Sequence, residues 1–325
     1  MLTKGHDMLT SADVTGLLAL PPSALKAEGE HLTDGDSLDL DEATRLAKQM
    51  IDDGAAAIGL CGTTGECASL LWDEKVALYE AVIAAVDGRV PVWCGTTALG
   101  TREVVRQMRA VKDMGASAAF VGLPLWQTPT MENAVGFFAD LAEAVPDLPV
   151  MVYANRFFFK FDFPVEFWQG IVAKAPTVIA TKVGFPLTQE HLDAARHQVN
   201  FMTGEGTIGM HYRMAPESVT AAWATSAAMG PEPWVAFLDA HAKGDTAAAE
   251  AALADIEGVP LPIPDFGDFD KYNIQLEKAR IEAAGYTRCG PPRAPYRDLP
   301  ADWAEVALNN GKAWAEMRAK YVTAD

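Results

Sequence analysis

Short apolar runs alternate along the chain with longer stretches whose apolar residues recur every three or four positions. The short runs are Gly16–Leu20, Ala55–Leu60, Val90–Cys94, Ala116–Val121, Leu148–Tyr153, Thr177–Lys182, Asn200–Thr203 and Ser218–Ala222. Their length and their Val, Ile and Ala content predict buried strands. Helical spacing fills most of the intervals. In Asp39–Asp53 it is carried by Leu40, Ala43, Leu46, Ala47, Met50 and Ile51. Trp72–Val86, Arg102–Met114, Met131–Val145, Phe163–Ala173 and Gln189–His197 read the same way. Strands without polar alternation suit a parallel sheet covered on both faces. Eight of them with crossover helices predict an α/β fold, a (β/α)8 TIM barrel, over residues 1–242. Beyond it, Thr246–Glu257, Lys271–Ala284 and Ala301–Tyr321 predict a C-terminal helical region, 243–325, packed on the barrel. A proline-rich loop, Val259-Pro-Leu-Pro-Ile-Pro-Asp-Phe-Gly, separates the first two of these helices.

Composition narrows the choice of partners. The 325 residues carry 26 basic and 44 acidic side chains, a formal charge of −18. That balance argues against nucleic acid and anionic membrane, but leaves room for a locally positive site and a small anionic substrate. The first residues lack an apolar signal core, and no uninterrupted apolar stretch is long enough to span a bilayer. The four cysteines show neither metal spacing nor disulfide-scaffold density, which predicts a reduced, cytoplasmic protein. The six histidines, His6, His31, His191, His197, His211 and His241, form no ligand pair at short spacing, so no metal site is expected. Gly204-Glu-Gly-Thr-Ile-Gly209 spells a dinucleotide fingerprint, but far from a first strand.

Lys182 carries the most chemistry. It closes an apolar strand, and a barrel gathers such strand ends at one mouth. A lysine there either snorkels to solvent or sits in a pocket that keeps its amine neutral and nucleophilic. Tyr153 closes the preceding strand and could move protons beside it. The loop Cys61-Gly62-Thr63-Thr64-Gly65-Glu66 follows the second strand. It is either a plain turn or a cradle whose N–H groups and hydroxyls hold a carboxylate.

A G-T-T-G-E loop, with a strand-five tyrosine and a strand-six lysine 29 residues apart, resembles the dihydrodipicolinate synthase and N-acetylneuraminate lyase superfamily. Gly65-Glu-Cys-Ala68, Cys94-Gly-Thr-Thr-Ala-Leu99, Tyr153-Ala-Asn155, Phe159-Lys-Phe-Asp-Phe-Pro164, Lys271-Tyr-Asn-Ile274, Leu276-Glu-Lys-Ala-Arg280 and Gly311-Lys-Ala-Trp314 resemble its aromatic-catabolic hydratase-aldolases. The resemblance implies a lyase that forms a Schiff base with an α-keto acid, without cofactor or metal. It also implies a homo-oligomer, trimer or tetramer. Lys182 would form the imine, and Tyr153 and Thr63 would relay protons. Gly62, Thr63 and Thr64 would hold the α-carboxylate, Asn155 the added water or hydroxyl, and Asn273 would reach in from the helical region or lie on a helix surface. The substrate would be an arylidene pyruvate, cleaved to an aromatic aldehyde and pyruvate. A synthase or sugar-acid lyase of the same superfamily, or a non-catalytic sensor, are the alternatives.

The chain departs from the synthase pattern at two places, and from the hydroxybenzylidene-type enzymes at a third. Synthases carry a tyrosine after strand four and lend it to a neighbour's site; here Trp126 stands in that segment, to stack on an aryl ring or pack at an interface. The loop Arg156-Phe157-Phe158-Phe159 replaces a short turn and suits an apolar pocket or a subunit contact. Arg156 would pair with a carboxylate on the aryl ring or with a surface acid. Gly204 stands where the hydroxybenzylidene-type enzymes are expected to carry a histidine, which counts against a phenolic substrate.

Overall fold

The computed structural model describes residues 8–29, 32–33, 37–195 and 197–322; His6 and His31 lie outside them. Eight parallel strands close into a barrel in sequence order. They are β1 (Gly16–Ala19), β2 (Ala57–Leu60), β3 (Val92–Gly95), β4 (Ala118–Val121), β5 (Val150–Ala154), β6 (Val178–Val183), β7 (Asn200–Gly204) and β8 (Ala221–Ala224). Nearly every strand residue is buried, because the interior is filled by side chains and the outside by helices. The covering helices are α1 (Leu40–Asp52), α2 (Trp72–Val86), α3 (Thr101–Asp113), α4 (Met131–Ala144), α5 (Arg156–Phe159), α6 (Val165–Lys174), α7 (Gln189–Ala195) and α8 (Ile208–Met214).

Most strand and helix ends fall within about two residues of the sequence pattern; the larger differences are three helices and the start of the last strand. The Arg156–Phe159 segment is a turn of helix rather than a loop, because Asn155 accepts from the N–H groups of Phe157 and Phe158 at its start. Helix α8 and helix α9 (Glu232–Ala242) escaped notice; α8 is a single short element after a glycine-rich loop. The last strand begins at Ala221, not Ser218. Pro216–Ser218 forms a 3-10 turn, and the Ser218 hydroxyl is taken up by His211 Nε2 at 2.7 Å.

The C-terminal segment continues with α10 (Thr246–Glu257), α11 (Phe269–Ala284) and α12 (Ala301–Arg318). Helices α11 and α12 pack on each other around Leu276, Trp303 and Ala307. They are also tied to the barrel by buried charge. Lys278 donates to Glu66 at 2.9 Å, and the Arg293 N–H reaches the other Glu66 oxygen at 2.6 Å. The Arg293 guanidinium meets Glu74 at 3.1 Å. Removing one partner of such a set leaves a stranded charge and costs about 3–5 kcal/mol, so the helical region is locked against the loop that follows β2.

Candidate active site

Register builds the site before any loop is considered. Lys182 is the direct partner of Tyr153 across β5 and β6, and of Met202 across β6 and β7. Gly204 shares Met202's face, two residues on, and pairs with Trp223 on β8. Tyr153, Lys182 and Trp223 are thereby delivered to one end of the barrel.

The geometry around Lys182 is close. Its Nζ lies 3.3 Å from the centroid of the Trp223 ring and 4.7 Å from that of Tyr153. The residue is only 8% exposed. Burial pushes its amine down from 10.5 to about 7, opposed by the carboxylates of Glu205 and Glu277. Desolvation wins because the ammonium gives up its hydration while no carboxylate forms a salt bridge with it among the described residues. The Trp223 indole is pinned by its own N–H, which donates to the Val183 carbonyl at 2.9 Å.

The Tyr153 hydroxyl and Thr63 Oγ1 are 2.7 Å apart. Burial pushes the phenol up to about 12; the Thr63 and Asn155 bonds favour its ionised form. Its ring packs on Phe120 at 4.8 Å and edge-on to Phe159 at 5.4 Å. The run of three phenylalanines thus divides its work: Phe159 is buried beneath Tyr153, while Phe157 stands half-exposed on the rim.

Thr63 and Thr64 lie in a tight loop. Glu66 N–H donates to the Thr63 carbonyl at 2.8 Å, and Cys67 N–H to that of Gly62 at 3.2 Å. A Cβ on Gly65 would fall 2.9 Å from the Cys61 backbone, so the fold-back requires glycine there. The buried Glu66 carboxylate holds the loop from below through Ser23, Lys278 and Arg293.

A cavity of about 800 Å³ joins these groups. Of the residues singled out from sequence, Lys182, Tyr153, Gly62, Thr63, Thr64, Asn155, Asn273 and Arg156 line it. Asn273 reaches it from α11. The Asn155 carbonyl oxygen is committed to the start of α5, so its amide N–H groups are what it offers the cavity. Arg156 sits exposed at the rim, its guanidinium 5.3 Å from the Phe157 ring. Trp126 departs from expectation. It does not line the cavity of its own chain and is 82% exposed. The segment after β4 carries it outward, away from the residues that line the cavity.

Among the cavity residues that the sequence left without a role are Trp223, Glu205, Glu277 and Arg280. Arg280 donates to Glu205 at 2.7 Å and to Glu277 at 2.8 Å, and to Asn310 at 3.2 Å. Glu277 and Arg280 stand in the Leu276–Arg280 motif, three apart on one helix face, but that spacing assigns them no role. Gly204 also acquires a reason. A Cβ there would lie 2.2 Å from the Trp223 carbonyl oxygen and 2.6 Å from its ring. The indole occupies the room that a side chain at 204 would need. Among the described residues, no three His, Cys, Asp or Glu side chains cluster as a metal site would require.

Residues 30–305 match the dihydrodipicolinate synthetase family. The chain belongs to that family. It is 38% identical over 321 residues to a trans-O-hydroxybenzylidenepyruvate hydratase-aldolase of Pseudomonas aeruginosa, covering 96% of each chain. It is 34% identical over 322 residues to a trans-2'-carboxybenzalpyruvate hydratase-aldolase of Nocardioides sp. (strain KP7), covering 97% of each. A solved structure described as PhdJ bound to substrate intermediate superposes with a TM-score of 0.92 at 33% identity, over 98% of this chain and all of that one. The protein is accordingly a lyase on a (β/α)8 barrel. No helix among the described residues is long and apolar enough to cross a membrane.

Proposed function

We propose that the protein is a Schiff-base hydratase-aldolase that converts a 4-aryl-2-oxobut-3-enoate and water to an aromatic aldehyde and pyruvate. One observation carries the mechanism: a buried lysine amine, lowered to about 7, opens onto the same cavity as the Tyr153–Thr63 pair. A half-neutral amine at physiological pH is a competent nucleophile toward a ketone. Lys182 attacks C2, water leaves, and the protonated imine becomes an electron sink. Water then adds at C4 and the C3=C4 pair moves toward nitrogen, giving an enamine that takes a proton at C3. In the cleavage step the C4 hydroxyl loses its proton and C3–C4 breaks. The electron pair becomes C2=C3 and the aldehyde leaves. Protonation at C3 and hydrolysis return pyruvate and the free amine.

The remaining residues divide around this path. Thr63, Thr64 and the N–H groups beside Gly62 hold the α-carboxylate, while Tyr153 relays the proton at the C4 oxygen through Thr63. Asn155 and Asn273 donate to the added water or to the new hydroxyl. The reaction needs no metal or organic cofactor, since the imine itself supplies the electron sink. Residues 1–242 act as the catalytic barrel and 243–325 as a cap that completes the cavity. The exposed indole of Trp126 supports a contact between copies of this chain in a homo-oligomer. The four free cysteines suit a reducing cytoplasm.

The test is pyruvate with borohydride. Inactivation and one pyruvate-derived mass on Lys182 are expected, together with pyruvate release from arylidene pyruvates. An adduct on another residue, or loss of activity to a chelator in its place, would overturn the Schiff-base reading.

A further inference from the structure

Each turnover of the proposed reaction moves a proton at two kinds of atom. One is the oxygen at C4, served by Tyr153 and Thr63. The other is C3, which is protonated after hydration and again after cleavage. Nothing in the Tyr153–Thr63 pair accounts for C3 while it is occupied at the oxygen.

Barrel order sets out where a second group could stand. Tyr153 approaches Lys182 from the β5 side. The cavity also holds two carboxylates joined by one guanidinium: Glu205, just past β7, and Glu277 on α11, both on Arg280. The two acids are not equivalent. Glu205 is engaged at both oxygens, by the Ser226 N–H at 2.5 Å and by Arg280 at 2.7 Å. These partners hold it ionised: despite burial, Arg280 and Ser226 keep its carboxyl below the ordinary value. Glu277 gives one oxygen to Arg280 at 2.8 Å, and among the described residues its other oxygen carries no hydrogen bond. That residue is 6% exposed and lines the cavity shared with Lys182.

We infer that Glu277 is the acid–base group that exchanges the proton at C3. The step balances as follows. The carboxylate of Glu277 takes a C3 proton from the iminium, the C–H pair becomes C2=C3, and the C=N pair returns to nitrogen. The reverse delivers the proton to the enamine. Burial and the neighbouring Glu205 charge push the Glu277 carboxyl above its ordinary value, against Arg280, which suits a group that must hold a proton for part of each cycle. The charged and titratable groups that face it are Lys182 from β6, Glu205 at the end of β7, Tyr153 from β5 and Arg280 on its own helix.

This inference rests on the Schiff-base reading, and the experiment separates the two. Wild-type protein is incubated with pyruvate in D2O, and loss of the C3 proton signal is followed by NMR. In parallel, borohydride trapping reports imine formation at Lys182. Glu277→Gln keeps the side-chain shape and leaves Arg280 paired with Glu205. It is expected to form the Lys182 adduct at the wild-type level and to exchange C3 protons about a hundredfold more slowly or worse. Glu277→Asp restores a carboxylate at shorter reach and should recover part of the exchange. Exchange by Glu277→Gln within about threefold of wild type overturns the inference. So does a parallel loss of adduct and exchange in both variants, which would make Glu277 a support for imine formation. A wild type that forms no adduct overturns the Schiff-base reading and the inference with it.

Discussion

Replacing Lys182 with methionine should make the folded protein more stable while abolishing its activity. The unfolded chain holds this amine at its ordinary 10.5, and the folded site lowers it to about 7. At about 1.4 kcal/mol per tenfold change in proton affinity, the gap amounts to ~5 kcal/mol when the amine is fully charged. At pH 7, where the folded amine is half charged, the burden is ~4 kcal/mol. The sign follows from proton counting. Between pH 7 and 10.5 the unfolded chain binds more protons than the folded one, so wild-type stability rises with pH through that window. Methionine fills similar volume without a charge. It forgoes the contact with the Trp223 ring, worth ~1–2 kcal/mol. A net gain of ~2–3 kcal/mol at pH 7 is expected, shrinking to ~1 kcal/mol or less near pH 10. Urea unfolding followed by tryptophan fluorescence at both pH values measures it. A variant no more stable than wild type at pH 7, or a difference that stays constant between the two pH values, would refute desolvation as the cause of the lowered amine.

Tyr153→Phe should keep the Phe120 and Phe159 packing and lower turnover by about a hundredfold or more, the scale for losing a proton relay; steady-state turnover with arylidene pyruvate reads it. Arg156→Ala should raise KM for a carboxybenzal pyruvate from a few-fold to about a hundredfold, with little change for the hydroxybenzylidene analogue, the range expected for a charged hydrogen bond at a partly solvated rim. An equal loss on both substrates would return Arg156 to the surface. Gly204→Ala places a Cβ against the Trp223 carbonyl and ring, so it should cost about 1–3 kcal/mol of stability in a urea titration and also lower the rate of imine trapping at Lys182.

The barrel was legible in the sequence because its evidence is local. Each strand is a short apolar run that must be buried on both faces, and each covering helix writes its buried stripe at three- and four-residue spacing. The strand-end positions of Lys182 and Tyr153, the fold-back at Gly65 and the hydroxyls of Thr63 and Thr64 belong to the same local grammar. Tertiary structure decided what depends on residues far apart in the chain. The pairing of Gly204 with Trp223 is invisible until β7 and β8 lie in register, and only then does a glycine appear as the space an indole fills. Glu205 and Glu277 are 72 residues apart in the chain, and nothing local in the sequence shows that Arg280 holds both at the cavity. Trp126 shows the reverse. Its place after β4 made it a candidate for the site, but the direction in which that segment leaves the barrel is set by packing, and packing turned it to solvent. Periodicity records which side of an element is buried; it does not record which other element buries it, and a site assembled from strand ends and a distant helix is made of that second kind of information.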